Sequence, residues 1–143
     1  MAETIKQNGF FSGTNGVLWW NGEKLAELSG YECKVTGSFD DVNCCGAYET
    51  YQQYHGYKVA GTIKIHKVDS KIGRQMLKAY TTGIMPDITL TSKLNNPSTG
   101  ATERVAVRDV VVSEFVAALF DAKSIVDEEF PFSGTKMEYL EAV

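Results

Sequence analysis

The chain has 143 residues, which is the size of one ordinary domain and enough to bury a hydrophobic core. Hydrophobic residues make up 43% of it and charged residues 22%, a composition typical of globular rather than disordered proteins. A formal net charge of −4 argues against a dedicated nucleic-acid-binding protein, because such a protein carries a basic patch that neutralises phosphates.

Strand patterns dominate the first part of the chain. Gly16–Trp20 and residues 23–28 flank an Asn-Gly pair, which supplies the positive φ angles of a type I′ turn, so these residues predict a β-hairpin. Residues 31–38 and 57–66 each alternate apolar with polar side chains. That period of two predicts strands with one covered face and one polar face.

The stretch between those two strands, residues 39–56, loses the alternation but is rich in tyrosine. Its first half is typical of turns, and its second half is compatible with an extension of the following strand. A structureless stretch of this length is unusual inside a compact domain, and its aromatic content argues against disorder. We therefore expect it to be functional or to pack against something else.

One helix is predicted after residue 70. Asp69 or Ser70 can cap its start, and Gly83 followed by Pro86 ends it. Apolar and basic side chains fall on opposite sides of this helix: Ile72, Met76, Leu77 and Tyr80 against Lys71, Arg74 and Lys78. A basic stripe either contacts an acidic partner or is simply solvated, and the second is several times more common.

The remainder of the chain predicts further strands over residues 87–94, 103–112, 115–120 and 124–132. Seven or eight strands and one helix, without internal repeats or a linker, predict a single domain over residues 1–143. The predicted fold is mostly β, a small antiparallel β-barrel or sandwich with the helix covering an open end.

The sequence contains no recognisable catalytic constellation. It has no nucleophile elbow, no phosphate-binding lysine loop and no zinc-protease motif, and its two histidines leave few choices of general base. The odd number of cysteines fits a reducing cytoplasm, and their spacing matches no zinc pattern: Cys33, Cys44 and Cys45. We predict no enzymatic activity, no cofactor and no metal.

Membrane association is not expected either. No apolar run approaches the ~20 residues of a spanning helix. The first ten residues contain an early acid and no apolar core, so they are not typical of a secretory signal. We therefore expect a protein of the cell interior.

A binding module is the alternative to a self-assembling structural protein. Trp19, Trp20 and the tyrosines could stack on the bases of a single-stranded nucleic acid, or a small barrel could hold a ligand. Neighbouring residues of a strand point to opposite faces, however, so at most one of the two tryptophans lines any given surface.

Four stretches, in this order, resemble tail tube proteins of contractile-tailed bacteriophages and phage-tail-like particles, especially the PBSX-like prophage branch. They span nearly the whole chain: residues 11–28 (FSGTNGVLWWNGEKLAEL), 56–71 (GYKVAGTIKIHKVDSK), 94–110 (LNNPSTGATERVAVRDV) and 128–134 (EEFPFSG). The tyrosine-rich residues 39–56, with adjacent Cys44 and Cys45, depart from that family's pattern.

The resemblance implies a structural subunit that forms hexameric rings, each with one continuous inner β-barrel, stacked into a hollow tube inside a contractile sheath. The implied partners are further copies of the chain, the sheath protein, the baseplate and the tape-measure protein, with DNA passing through unbound. The implied location is the bacterial cytoplasm during assembly and then a virion or phage-tail-like particle. An infectious phage, a defective prophage and a phage-tail-like bacteriocin all stay open as origins.

The resemblance also implies two sets of site residues. Related tubes place an arm that reaches an adjacent subunit at residues 39–56, which predicts an interface of apolar side chains: Phe39, Val42, Tyr48, Tyr51 and Tyr54. The alternative is that these residues cover the subunit's own core, and we favour the partner by about two to one. Charged residues on polar strand faces are candidates for the lumen wall: Glu32, Lys34, Glu103 and Arg104. A carboxylate-lined lumen would repel DNA, although solubility explains the net charge equally well.

Overall fold

A computed structural model of the chain describes residues 7–143. The first six residues belong to the segment that is not typical of a secretory signal, and they lie outside the described region. Nine strands and one α-helix follow two short 3₁₀ turns. Their bounds are β1 Gly16–Trp20, β2 Glu23–Lys24, β3 Leu28–Asn43, β4 Thr50–His66, α1 Lys71–Thr82, β5 Leu90–Asn95, β6 Thr102–Arg108, β7 Val111–Val112, β8 Asp127–Gly134 and β9 Lys136–Glu141.

The strands form two antiparallel sheets. The first has the order β2-β1-β5-β6-β9, and the second has the order β3-β4-β8-β7. The two sheets remain separate and pack face to face as a sandwich, which confirms the predicted fold class of a mostly β sandwich with one helix.

The core lies between the inner faces of the two sheets. Leu18, Leu90 and Val107 from the first sheet and Ile63 and Phe130 from the second are almost fully buried there. Inward and outward positions alternate along these strands, as the period of two predicted.

Helix α1 begins and ends as predicted, although its covered face differs. The carboxylate of Asp69 accepts a hydrogen bond from the Lys71 backbone N–H at 3.1 Å, and Gly83 adopts a left-handed conformation at φ 75° that closes the last turn. The buried stripe is Ile72, Met76 and Ala79, with spacings of four and three. The placement of Leu77 on the covered side was wrong, because Leu77 lies ~100° around the helix from Met76 and is 55% exposed.

Two predicted strands differ in the structure. The predicted strand over residues 103–112 is split, because Asp109 has a positive φ of 54° and redirects the chain from β6 in one sheet to β7 in the other. Residues 115–120 form no strand and belong to an irregular connection between β7 and β8. Among the described residues, no helix has the length and apolar character to cross a membrane.

Candidate assembly interface

Strands β3 and β4 continue beyond the sandwich as a two-stranded ribbon, which we call the arm (residues 39–56). β8 pairs with β4 only over residues 59–66, so beyond Val59, toward the N-terminal end of β4, the second sheet is two strands wide. β3 and β4 stay paired along the arm, through Phe39 with Tyr54 and Val42 with Tyr51. The prediction of turns over the first half of the segment was wrong for residues 39–43, which are the end of β3, whereas the residues that follow form the turn between β3 and β4.

The aromatic side chains of the arm are exposed to solvent. Tyr51 and Phe39 are each 53% exposed, Val42 and Tyr54 are similarly open, and Tyr48 at the tip is fully exposed. None of these five side chains belongs to the buried core between the sheets. Within the arm the rings of Phe39 and Tyr54 contact each other, with centroids 5.5 Å apart.

Both faces of the arm carry apolar side chains. Directly paired residues of an antiparallel ribbon share a face, so each apolar pair can be assigned to one side. Phe39 and Tyr54 lie on one face, and Val42 and Tyr51 lie on the other. This distribution explains why the sequence shows no period of two here: neither face is covered, so neither is systematically apolar. A two-stranded ribbon in water is marginally stable at best, so the arm needs support beyond its own contacts.

Polar cross-strand contacts hold the arm in its register. The Gln52 side-chain amide donates to the Asp41 carboxylate at 2.8 Å, and His55 Nε2 lies 2.7 Å from Asp40 Oδ2. Such exposed contacts contribute roughly 0–1 kcal/mol each. They can fix the geometry of the ribbon without supplying a core.

The formal charges of the arm are all negative. Its acidic residues are Asp40, Asp41 and Glu49, and residues 39–56 contain no lysine or arginine, which gives a formal charge of −3. Cys44 and Cys45 lie exposed in the turn that joins the two strands. Within residues 7–143 no group of three metal-binding side chains comes together.

The four candidate lumen residues lie on different surfaces. Glu32 and Lys34 share the exposed outer face of β3. Glu103 is half-buried at the mouth of the cleft between the two sheets. Arg104 faces the outer side of the first sheet, where its Nε lies 3.5 Å from a carboxylate oxygen of Glu141. The structure therefore brings Glu32 and Lys34 together and separates them from the other two.

An open cleft of about 820 Å³ lies between the sheets beside the free edge of β3. Its walls include Tyr31, Cys33, Glu103, Met137 and Tyr139. Burial raises the pKa of the Tyr31 hydroxyl, and it also raises the pKa of the Cys33 thiol. Sequence patterns could not indicate this cleft, because its walls come from strands far apart in the chain.

The tryptophans do not form a base-stacking surface. Trp20 is only 6% exposed and belongs to the core. Trp19 is half-buried, and the guanidinium of Arg104 covers its ring at 5.8 Å from the centroid. The alternative of a nucleic-acid-binding module therefore loses its two tryptophans as stacking residues.

Comparisons with known proteins agree with this architecture. The sequence matches a family model described as phage tail tube protein over residues 3–141. It is 32% identical over 131 residues to the phage-like element PBSX protein XkdM of Bacillus subtilis (strain 168), covering 90% of this chain and 89% of that protein.

Two solved structures share the fold. One is a chain of the PVC sheath-tube complex in the extended state, from an extracellular contractile injection system, with a TM-score of 0.68, 12% identity and 92% of each chain covered. The other is a chain of the anti-feeding prophage cap, the AFP tube terminating cap, with a TM-score of 0.73, 10% identity and coverage of 98% and 97%.

The family match confirms the resemblance suggested by the four sequence stretches. It also confirms the prediction of a structural protein rather than an enzyme, because the matching family is one of tube subunits. The match covers the sandwich, the helix and the arm together. The chain therefore belongs to the phage tail tube protein family.

Proposed function

We propose that this tail tube subunit assembles into hexameric rings that stack into a hollow tube inside a contractile sheath, and that the arm joins neighbouring subunits. The observation that carries the proposal is the arm itself, a ribbon with exposed aromatic side chains on both faces. We further propose that the chain is a single tail-tube-like domain over residues 1–143.

The energetics of the arm support a partner on its surface. Full burial of a large apolar side chain contributes about 1.5–3 kcal/mol. The five apolar residues of the arm are about half-exposed or more, so their burial by a partner would contribute on the order of 5 kcal/mol before the costs of association. An interface formed by residues 39–56 accounts for aromatic side chains that a monomer leaves in water.

The free sheet edges support ring formation. β3 is a 16-residue strand that is paired with β4 on one side only, and it forms one edge of the second sheet. Long exposed edges pair readily with other chains, and closure of a ring removes them. In our proposal the second sheet contributes to the continuous inner barrel, and its outer face, with Glu32 and Lys34, lines the lumen.

The proposed partners follow from the same assembly. The sheath protein covers the outside of the tube, and the baseplate and tape-measure protein complete the tail. DNA passes through the lumen without stable binding. Subunits assemble in the bacterial cytoplasm before they are incorporated into a virion or a phage-tail-like particle. One solved relative of this fold is a sheath-tube complex, which supports the sheath as a partner.

Electron microscopy of the purified full-length protein tests the assembly directly. We expect rings or stacked tubes at high concentration by negative staining, and a sedimentation coefficient that rises with concentration. A protein that stays strictly monomeric under these conditions would exclude the tube.

A second variant tests the arm separately. Replacement of residues 40–54 by a two-residue Asn-Gly turn should leave a folded monomer that no longer polymerises, because the sandwich core lies outside the replaced segment. Circular dichroism and a thermal melt establish that the variant is folded. Full-length tubes formed by this variant would refute the role of the arm.

A further inference from the structure

We propose that the arm of one copy docks on the exposed face of α1 in a copy of the adjacent ring. This surface, which we call the basic face, consists of the exposed α1 residues Arg74, Leu77 and Lys78 together with Ile84 just beyond the helix. The inference rests on the proposed tube and adds the identity of the surface that receives the arm.

The charges of the two surfaces are complementary. Residues 71–86 contain three cations and no acid, whereas the arm contains three acids and no lysine or arginine. Lys71 is paired with Glu23, but Arg74 and Lys78 take part in no ion pair among residues 7–143. These two cations are available to a carboxylate from outside the subunit.

The basic residues are not placed to stabilise the helix. Lys71 and Arg74 lie in the first turn of α1, near the positive end of the helix dipole, where cations are unfavourable. Arg74 and Lys78 are also four residues apart on one face, so they repel each other. A negatively charged partner would offset both the repulsion between Arg74 and Lys78 and the unfavourable position of the cations near the start of the helix.

The basic face also offers apolar contacts beside its charges. Leu77 lies ~60° around the helix from Arg74, on the side away from Lys78, and is 55% exposed, and Ile84 just beyond the helix is 76% exposed. The arm tip presents the matching combination, with fully exposed Tyr48 beside the carboxylate of Glu49. Tyrosine packs well on an aliphatic side chain and can also contact a cation through its ring.

The tip of the arm lies far from the basic face of the same subunit. The Tyr80 hydroxyl near the end of α1 donates to the carbonyl of Val112. Val112 pairs with Phe132 of β8, and Phe132 pairs with Gly61 of β4, so the end of α1 lies beside Gly61 along the strand direction. Eleven residues of extended strand, about 36 Å, separate Gly61 from Thr50 at the far end of the arm. The arm is therefore placed to reach another copy's helix rather than its own.

This arrangement determines the kind of assembly. A contact between two different surfaces is head-to-tail, and repeated contacts of this kind either close a ring or continue as an open stack; our proposal takes the open stack. Every copy offers one arm and one basic face. Stacked rings need this geometry.

Another exposed apolar surface competes for the arm but has the wrong charge. The connection between β7 and β8 exposes Val116, Leu119 and Phe120. Residues 113–126 carry two acids and one lysine, Glu114, Asp121 and Lys123, so their balance is −1. An acidic arm would meet like charge there, which favours α1 as its receptor.

Charge reversal tests the docking surface. R74E/K78E should raise the protein concentration needed for tube formation roughly tenfold, and D41K/E49K should have a similar effect, because each creates like charges across the contact. The four substitutions together should restore assembly, since the charges are again opposite. The control K123E changes an exposed lysine outside the basic face and should assemble as the unmodified protein does.

Chemical cross-linking keeps the test informative if a charge variant fails to fold. Cys44 and Cys45 already lie exposed at the arm tip, so L77C alone places a thiol on the basic face. A short bis-maleimide cross-linker should join assembled L77C subunits into a ladder beyond the dimer, because each copy donates one arm and accepts another. The unmodified protein and K123C should not give this ladder.

The outcomes distinguish this inference from the proposed function. If R74E/K78E polymerises normally and L77C gives no ladder, the arm docks elsewhere, and a ladder with K123C would point to the β7–β8 connection. Loss of tubes only in the arm-replaced variant would then still support the tube. If the unmodified protein forms neither rings nor tubes, both proposals are wrong.

Discussion

At the scale of single residues, Gly61 occupies a position that has no room for a side chain. Tyr31 of β3 stacks on Phe132 of β8, with ring centroids 5.9 Å apart, and Gly61 lies on the strand between them. A Cβ atom at Gly61 would come within 1.9 Å of the Glu32 carbonyl oxygen and 2.8 Å of the Phe132 ring. The glycine therefore makes room for the stacked pair that closes this end of the core.

We expect Gly61→Ala to destabilise the fold by about 1–3 kcal/mol, because the added methyl group forces β3 or Phe132 to move. Chemical denaturation of the monomer measures the change. Gly30→Ala is the matched control, since the nearest atom to its Cβ would be Lys64 Cδ at 3.7 Å, an ordinary contact. Equal stability of the two variants would show that the strands can separate at no cost.

The three thiols should differ in reactivity. Cys44 and Cys45 are exposed, whereas Cys33 is half-buried and burial raises its pKa, so less of it is the reactive thiolate at any given pH. A disulfide reagent at pH 8 should give two fast equivalents and one slow equivalent in the monomer. Cys33→Ala should remove only the slow one. The same burial means that the unfolded chain ionises first, so the Cys33 contribution to stability falls as the pH rises above about 8.5.

At the scale of secondary-structure elements, α1 and the arm show what the sequence could and could not predict. The start and end of α1 depend on local signals, a capping carboxylate at Asp69 and a left-handed glycine at Gly83, so they were predictable. Which side of α1 is buried depends on neighbours that no local pattern contains, and Leu77 was misplaced for that reason. The arm was missed as a ribbon because periodicity reveals a strand only where one face is covered.

Substitutions in the arm should separate assembly from folding. Val42→Ser with Tyr51→Ser removes the apolar pair from one face of the arm, and both side chains are exposed in the subunit. The free energy of unfolding of the monomer should change by less than about 0.5 kcal/mol, while tube formation weakens. Phe130→Ala is the contrasting variant, because it empties the core and should cost about 3–5 kcal/mol of folding stability. A large loss of monomer stability from the arm variant would show that the arm supports its own sandwich.

At the scale of the whole molecule, the sandwich joins strands that are distant in the sequence. The chain changes sheets at Asp109, where a positive φ separates β6 from β7, and β9 returns to pair with β6. The single helix followed from local patterns, and the seven or eight predicted strands approach the nine observed, but the division of the strands into two sheets did not follow from the sequence. Local alternation places Glu103 and Arg104 on opposite sides of β6, but only the long-range pairing shows which of the two sides faces the other sheet.

A head-to-tail stack makes a further demand on the whole subunit, because growth at one end requires an arm and growth at the other requires its receptor. A subunit without an arm keeps its basic face and its sheet edges, so it can join a growing tube but cannot hold the next ring. We expect the variant in which a short turn replaces residues 40–54 to shorten tubes of the full-length protein when the two are mixed before assembly. Length distributions from electron micrographs, measured at increasing fractions of the variant, test this. Added full-length protein is the control and should give more or longer tubes. Unchanged lengths in the mixtures would mean that the arm does not connect successive rings.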